Sequence, residues 1–277
     1  MAEISAAMVM KLRERSGLPM MDCKKALQEA GGDEEKAMEI LRKSGAKAAE
    51  KKAGRATSEG RIGCYRDAET GRAALVEMLC ETAPVANNPE FRQLADRIAR
   101  HAALAGGGDP ASIGGEPFID DPKMTVADLV HDVLNRIREN MQIGRIVRLP
   151  GPAAVYVHHT GKLGVGICTD KPCANAELLN DVCMHVAAMQ PEALDRQGIP
   201  AEKVARETEL AREEIRASGK PENMVEKILT GKMNRWFGER VLLEQPFVKD
   251  DKTTVGQVLQ KAGVTLTAFR RLQVGVE

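Results

Sequence analysis

The chain has 277 residues, room for about two domains with substantial cores, and its 40 basic and 40 acidic residues cancel to a formal net charge of zero. That balance argues against a primarily electrostatic nucleic-acid binder, and an aromatic content of 3% argues against base-stacking platforms. No apolar run is long enough to span a bilayer, and Met1-Ala2-Glu3-Ile4 lacks the basic start and apolar stretch of a signal peptide, so a cytoplasmic protein without membrane contact is expected.

Residues 1–45 read as a compact module of three helices, similar in pattern to a ubiquitin-associated domain. Ser5 is placed to cap the first helix, with Met8, Val9 and Leu12 inward, and Gly17 to end it. Asp22 is placed to cap the second, which carries Cys23, Ala26, Leu27 and Ala30. Asp33 opens the third, with Ala37, Ile40 and Leu41 inward. Met20 and Met21 fall in the first interhelical loop, where exposed methionines suit an adaptable binding surface and buried ones fill gaps. Residues 46–59 are rich in Ala and Lys without an apolar stripe, and read as a partly helical, solvated linker.

Residues 60–142 read as a first α+β subdomain. Arg61–Arg66 and Arg72–Cys80 form a hairpin, and Ala73 to Cys80 is an apolar run of strand length. Glu81 to Asn88 then breaks the pattern, with Pro84 expected to push Ala83 into an extended conformation. Asn88 caps a helix begun by Pro89, whose Phe91, Leu94, Ala95, Ile98 and Ala102 share one face. The intervening turn is short, stiff and poor in titratable groups. It reads either as a plain connection or as a wedge for a partner. Gly106-Gly107-Gly108 and Gly114-Gly115 break the chain, and Thr125 with Asp128 caps a helix whose Val126, Leu129, Val130, Val133, Leu134, Ile137 and Met141 form a clear buried face.

Residues 143–277 repeat the scheme: a hairpin from Ala153–His158 and Gly164–Thr169, then a helix over Ala174–Met189. A helical hairpin within 201–237 follows, turning at Ser218-Gly219-Lys220-Pro221 and anchored at its base by Trp236 and Phe247. Thr254 caps a short helix and Ala268–Val274 closes the chain as a strand. The fold class is therefore α+β: a three-helix module, then two related subdomains with a projecting helical hairpin.

The residues offer little chemistry. There is no G-x-x-x-x-G-K-[ST] loop, no G-x-S-x-G and no H-E-x-x-H. His101 and His131 read as surface or boundary groups, and Asp120-Asp121 as a loop and capping feature. Six irregularly spaced cysteines do not form a disulfide framework. Cys168, Cys173, Cys183 and His185 have an uncommon spacing for structural zinc, and Cys168 and Cys183 read better as small buried hydrophobes. No metal, cofactor or catalytic constellation is expected, so the chain reads as a binding protein rather than an enzyme.

The wording is more specific than the pattern. The run LRERSGLPMMDCKKALQEAGGDEEKAMEILRKSG, Leu12 to Gly45, resembles the N-terminal signature of the elongation factor Ts family. The segments EGRIGCY, ALVEMLCET, HVAAMQP, SGKPENMVEKILTGKM, QPFV and TVGQVLQ continue that resemblance in family order. It implies a guanine-nucleotide exchange factor whose partner is elongation factor Tu, GDP-bound or nucleotide-free, with no nucleic acid contacted directly. Oligomeric state is left open. The resemblance places a wedge that disturbs the partner's Mg²⁺ and phosphate site at Thr82, Ala83, Pro84 and Val85. It places further partner contacts at Arg13, Met20, Met21, His185, Val186 and Met189. The family's usual wedge is Thr-Asp-Phe-Val, so here the carboxylate and the ring are both missing. The resemblance thus implies retained binding with a weaker or differently placed push, and its alternative is a paralogue that holds elongation factor Tu without efficient exchange. A ubiquitin-like-binding adaptor would use the first module alone.

Overall fold

A computed structural model describes residues 4–106, 108–219 and 221–276. Met1 to Glu3, Gly107 and Lys220, invoked above, lie outside the described residues.

The first module consists of α1 (Ala6–Ser16), α2 (Met20–Glu29) and α3 (Glu34–Lys52). Local chemistry sets two of their starts. Ser5 Oγ accepts the Met8 N–H at 3.3 Å, and Asp33 Oδ1 accepts those of Glu35 and Lys36 at 3.0 and 3.1 Å. Gly17, at φ 68°, ends α1 in the left-handed conformation. Val9, Leu12, Leu18, Cys23, Ala26, Leu27, Ala37 and Leu41 form the small core.

Two expectations change here. Helix α2 starts at Met20, after Pro19, so Asp22 sits inside its first turn and both methionines are helical rather than in a loop. Helix α3 runs through the first half of the expected linker. Its Ala-rich sequence favours helix, and Ala48 and Ala49 pack on the core of the next unit. Gly45 lies so close to α6 (Val126–Ile137) that a Cβ would stand 3.2 Å from the His131 carbonyl oxygen.

In the first subdomain, β1 (Glu59–Arg66) and β2 (Ala73–Cys80) pair antiparallel, with Ile62 opposite Glu77. A one-turn helix α4 (Ala83–Ala86) and α5 (Pro89–Leu104) follow, then β3 (Pro117–Phe118), β4 (Asp121–Thr125), α6 and β5 (Met141–Leu149). Strand β5 pairs with the free side of β2, giving the order β1-β2-β5, so the first sheet extends past the division expected at residue 142. Helix α5 lies directly on this sheet: a Cβ on Gly63 would fall 2.3 Å from the Ala95 carbonyl carbon.

The second subdomain contains β6 (Ala153–Val157), β7 (Leu163–Thr169), α7 (Ala176–Met189), the hairpin of α8 (Ala201–Ala217) and α9 (Glu222–Arg240), then β8 (Pro246–Phe247), β9 (Asp250–Thr254), α10 (Val255–Lys261) and β10 (Leu266–Gln273). Its sheet order is β10-β7-β6. The two sheets are joined where the Ile62 N–H donates to the Gly161 carbonyl at 2.8 Å. Ala211, Ile215, Val225 and Leu229 hold α8 to α9. The base of the hairpin is Trp236 with Phe237, ring centroids 5.1 Å apart, packed on Ala193, Ile199 and Val241. Phe247, expected there, instead fills the core under α7 and α10. Among the described residues no helix is long and apolar enough to cross a membrane.

Candidate partner-binding surface

The segment after β2 is a helical turn with a pinned base. Thr82 is extended, at φ −132° and ψ 152°, and Ala83 is already the first helical residue. The expectation that Pro84 would force Ala83 out of helical geometry is thus corrected. Pro84 takes the second helical position, where an N–H would have no carbonyl to meet inside the helix. The Thr82 carbonyl accepts the Ala86 N–H at 3.1 Å, and the Ala83 carbonyl accepts the Asn87 N–H at 3.2 Å. Asn88 then caps α5 through the Glu90 N–H at 2.8 Å. Thr82, Ala83 and Pro84 are exposed, Val85 is half-buried against the core, and Ala86 is buried. The apex is therefore small and apolar. Beneath it, burial pushes the Cys80 thiol up to about 11, so it stays protonated and donates to the Thr82 carbonyl at 3.3 Å.

In the helical module Arg13, Met20 and Met21 are all exposed, the methionines at 47% and 61%. Met10 is exposed too and lines a shallow depression with Arg13, Glu14 and Gly17. It was missed because its position on α1 resembles that of any solvated residue. The module is tied to the first subdomain by Arg138, which donates to Asp22 at 3.1 Å, and by Arg136, packed under Gly17 and paired with Glu90.

The residues expected on α7 divide. Met189 is 46% exposed, whereas His185 and Val186 are wholly buried and present no surface to a partner. The reason is a set of hydrogen bonds. The Val248 N–H donates to His185 Nδ1 at 3.2 Å, so the ring proton sits on Nε2 and donates to Gln245 Oε1 at 3.0 Å. Gln245 Nε2 donates in turn to the Glu239 carbonyl at 2.9 Å. Burial lowers the His185 pKa against the opposing effect of the Gln245 bond. His185 thus orients the strand turn that brings Val248, 51% exposed, to the surface. The signal for Val248 was the Gln-Pro-Phe-Val alternation, which turns Phe247 inward and its neighbour outward.

His101 is also buried, correcting its reading as a surface group. Its Nδ1 accepts the Ile119 N–H at 3.3 Å and its Nε2 meets Glu116 Oε2 at 3.0 Å. Cys183 is buried, its thiol pushed up to about 12, with Sγ directed at the Ala154 carbonyl. Among the described residues no group of three or more His, Cys, Asp or Glu is arranged to hold a metal ion. The arrangement offers mostly apolar, exposed projections at Met20, Met21, Ala83, Pro84, Met189 and Val248.

Comparison with known proteins bears on this surface. The elongation factor TS family model matches residues 81–276. The elongation factor Ts of Aquifex aeolicus is 41% identical over 284 residues, covering 98% of each chain. That of Methylococcus capsulatus is 42% identical, covering 98% of this chain and 92% of the relative. That of Prosthecochloris aestuarii is 40% identical, covering 99% and 100%.

Proposed function

Because this chain belongs to the elongation factor Ts family, we propose that it binds elongation factor Tu in the cytoplasm and promotes release of GDP. The observation that carries the reading is α4. It lies at the residues to which the family resemblance assigns the wedge, follows the end of β2 with Thr82, Ala83 and Pro84 exposed, and is held by backbone hydrogen bonds rather than left as a loose loop. Arg13, Met20 and Met21 in the first module would grip the partner on one side, and Met189 with Val248 on the other. His185 and Val186 support that second patch from beneath.

The action needs no covalent step. A factor that binds the nucleotide-free partner more tightly than the GDP-bound one weakens GDP binding by the same factor that GDP weakens its own. A pre-formed helical turn loses little conformational freedom on docking. Its apex, Ala83 and Pro84, lacks the carboxylate and ring of the usual family wedge, and with them most of the buried area an aromatic would supply. This feature favours a second reading, in which the chain holds elongation factor Tu with little exchange.

Release of a fluorescent GDP from elongation factor Tu, at several Mg²⁺ concentrations, separates the two. Acceleration that persists at high Mg²⁺ is the expected result. Ala83→Asp combined with Pro84→Phe should raise it further. Tight binding without acceleration would favour the holding reading, and absence of binding would sink both.

A further inference from the structure

We propose that Glu139 is a positioning residue for the exchange element, holding α4 at its working angle through Thr82. The inference rests on the exchange reading above. Glu139 lies 57 residues from Thr82 in sequence, in the connection between α6 and β5. Its carboxylate takes both polar groups of Thr82: the N–H at 3.1 Å on Oε2 and the hydroxyl at 2.7 Å on Oε1. The bond is returned one residue away. The Asn140 N–H donates to Glu81 Oε1 at 2.6 Å, so the two connections exchange carboxylate–amide bonds in both directions. Hydrogen bonds to an ionised acceptor are about twice as strong as neutral ones. This exchange is therefore a strong polar tie at the base of α4.

Three further observations set this clamp apart from an ordinary loop contact. Thr82 caps α4, yet its side chain accepts no helical N–H; its hydroxyl is given to Glu139 instead. Arg138, immediately before Glu139, is at φ 68°, a left-handed conformation that costs a side-chain-bearing residue about 1–2 kcal/mol. That conformation turns the chain so that residues 139 and 140 face the end of β2. It is held by Lys52 Nζ, which donates to the Arg138 carbonyl at 2.7 Å. Finally, Asn140 is buried and its Nδ2 donates to the Arg55 carbonyl at 2.9 Å, while Arg55 pairs with Glu81 at 3.3 Å. The clamp thus joins the end of α3, the start of β5 and the base of α4. A load taken up by the helical module on the partner reaches the wedge through this clamp.

A residue that only stabilised the fold would change the melting temperature and leave a saturated exchange rate intact. A positioning residue changes the rate at saturation and leaves the half-saturating concentration in place, because the gripping surfaces on α1, α2 and α7 are untouched. The test measures GDP release against concentration of the full chain for Glu139→Ala and Glu139→Gln. Loss of two charge-assisted bonds predicts about a tenfold lower maximal rate for Glu139→Ala, with a half-saturating concentration within about twofold. Glu139→Gln keeps an accepting oxygen and should fall between. Amide hydrogen exchange in the free protein gives an independent reading: protection of the Ala86, Asn87 and Asn88 N–H groups, which close α4, should drop in Glu139→Ala. Acceleration by the unsubstituted chain that Glu139→Ala shares in full would overturn this inference alone. So would unchanged protection of those three amides. Absence of acceleration by the unsubstituted chain would overturn the exchange reading and this inference with it.

Discussion

The two subdomains carry the same histidine latch, and they differ in what the latch is closed against. His101 stacks near Phe118 at 5.9 Å and His185 near Phe247 at 6.0 Å, both tilted by 30°. In each, Nδ1 accepts the N–H of the residue after the Phe, Ile119 or Val248. In each, Nε2 meets the residue before Pro-Phe, Glu116 or Gln245. Even the following helix caps match, Thr125 with Asp128 and Thr254 with Gln257. The frame is one design used twice, and its surfaces have diverged. Ile119 packs against the first core, whereas Val248 stands in solvent. Glu116 has one edge in water, whereas Gln245 is wholly enclosed. The lesson is that a buried latch can be kept while the residue it positions moves from core filling to surface display.

Exchanging the two latch partners is the most severe way to break this comparison. Gln245→Glu replaces a buried N–H donor facing the Glu239 carbonyl with an acceptor or a charge, at about 2–3 kcal/mol of unfolding free energy in urea titration. Glu116→Gln, in the half-open site, should change stability by less than about 0.5 kcal/mol. Equal losses from the two would deny that the latches differ in enclosure.

A second contrast sharpens the surface side. Val248→Asp should leave the melting temperature nearly unchanged and weaken binding to elongation factor Tu by about tenfold, read by titration calorimetry. Unaltered affinity would remove Val248 from the interface. The smallest effect is on pH dependence. The His185 pKa lies below its ordinary 6.5 in the folded chain, chiefly through burial. The unfolded chain therefore takes the proton first. Its contribution to stability is fully present above 6.5 and is lost as pH falls through 6.5 toward the lower folded value. Melting temperatures of His185→Gln should accordingly fall less over that acidic range than those of the parent chain.

Much of the frame was legible in the sequence because its signals are local. Ser5, Asp33, Asn88, Thr125 and Thr254 each sit within three residues of the N–H they satisfy, and every one caps the expected helix. The repeated strand–strand–helix order was legible for the same reason. The latches were not: Gln245 is 60 residues from His185 and Glu116 is 15 from His101, and a single histidine has no periodicity to betray its burial. Helix α4 escaped because the restriction before proline weighs against helix, whereas the tertiary frame at Thr82 overrides it. Trp236 takes Phe237 as its neighbour, not Phe247, because the two are adjacent on α9 while Phe247 is claimed by the latch. Helix in the first half of the linker was legible in its alanines, but their packing on the neighbouring core was hidden by a lysine-rich composition that reads as a solvated tether.

The α8–α9 hairpin leaves and rejoins the second subdomain at a single point. Ala193 and Val241 lie side by side as a parallel bridge, the Glu192 N–H donates to the Arg240 carbonyl at 2.8 Å, and the Leu242 N–H donates to the Ala193 carbonyl at 2.8 Å. A segment whose two ends are stitched together this closely is an interchangeable arm. Its outer part can be trimmed or lengthened without altering the register of β8, provided that Glu239, whose carbonyl accepts from Gln245 in the latch on His185, stays in place. Its length is thus free to vary as the reach of the molecule demands, while the body that carries it stays fixed.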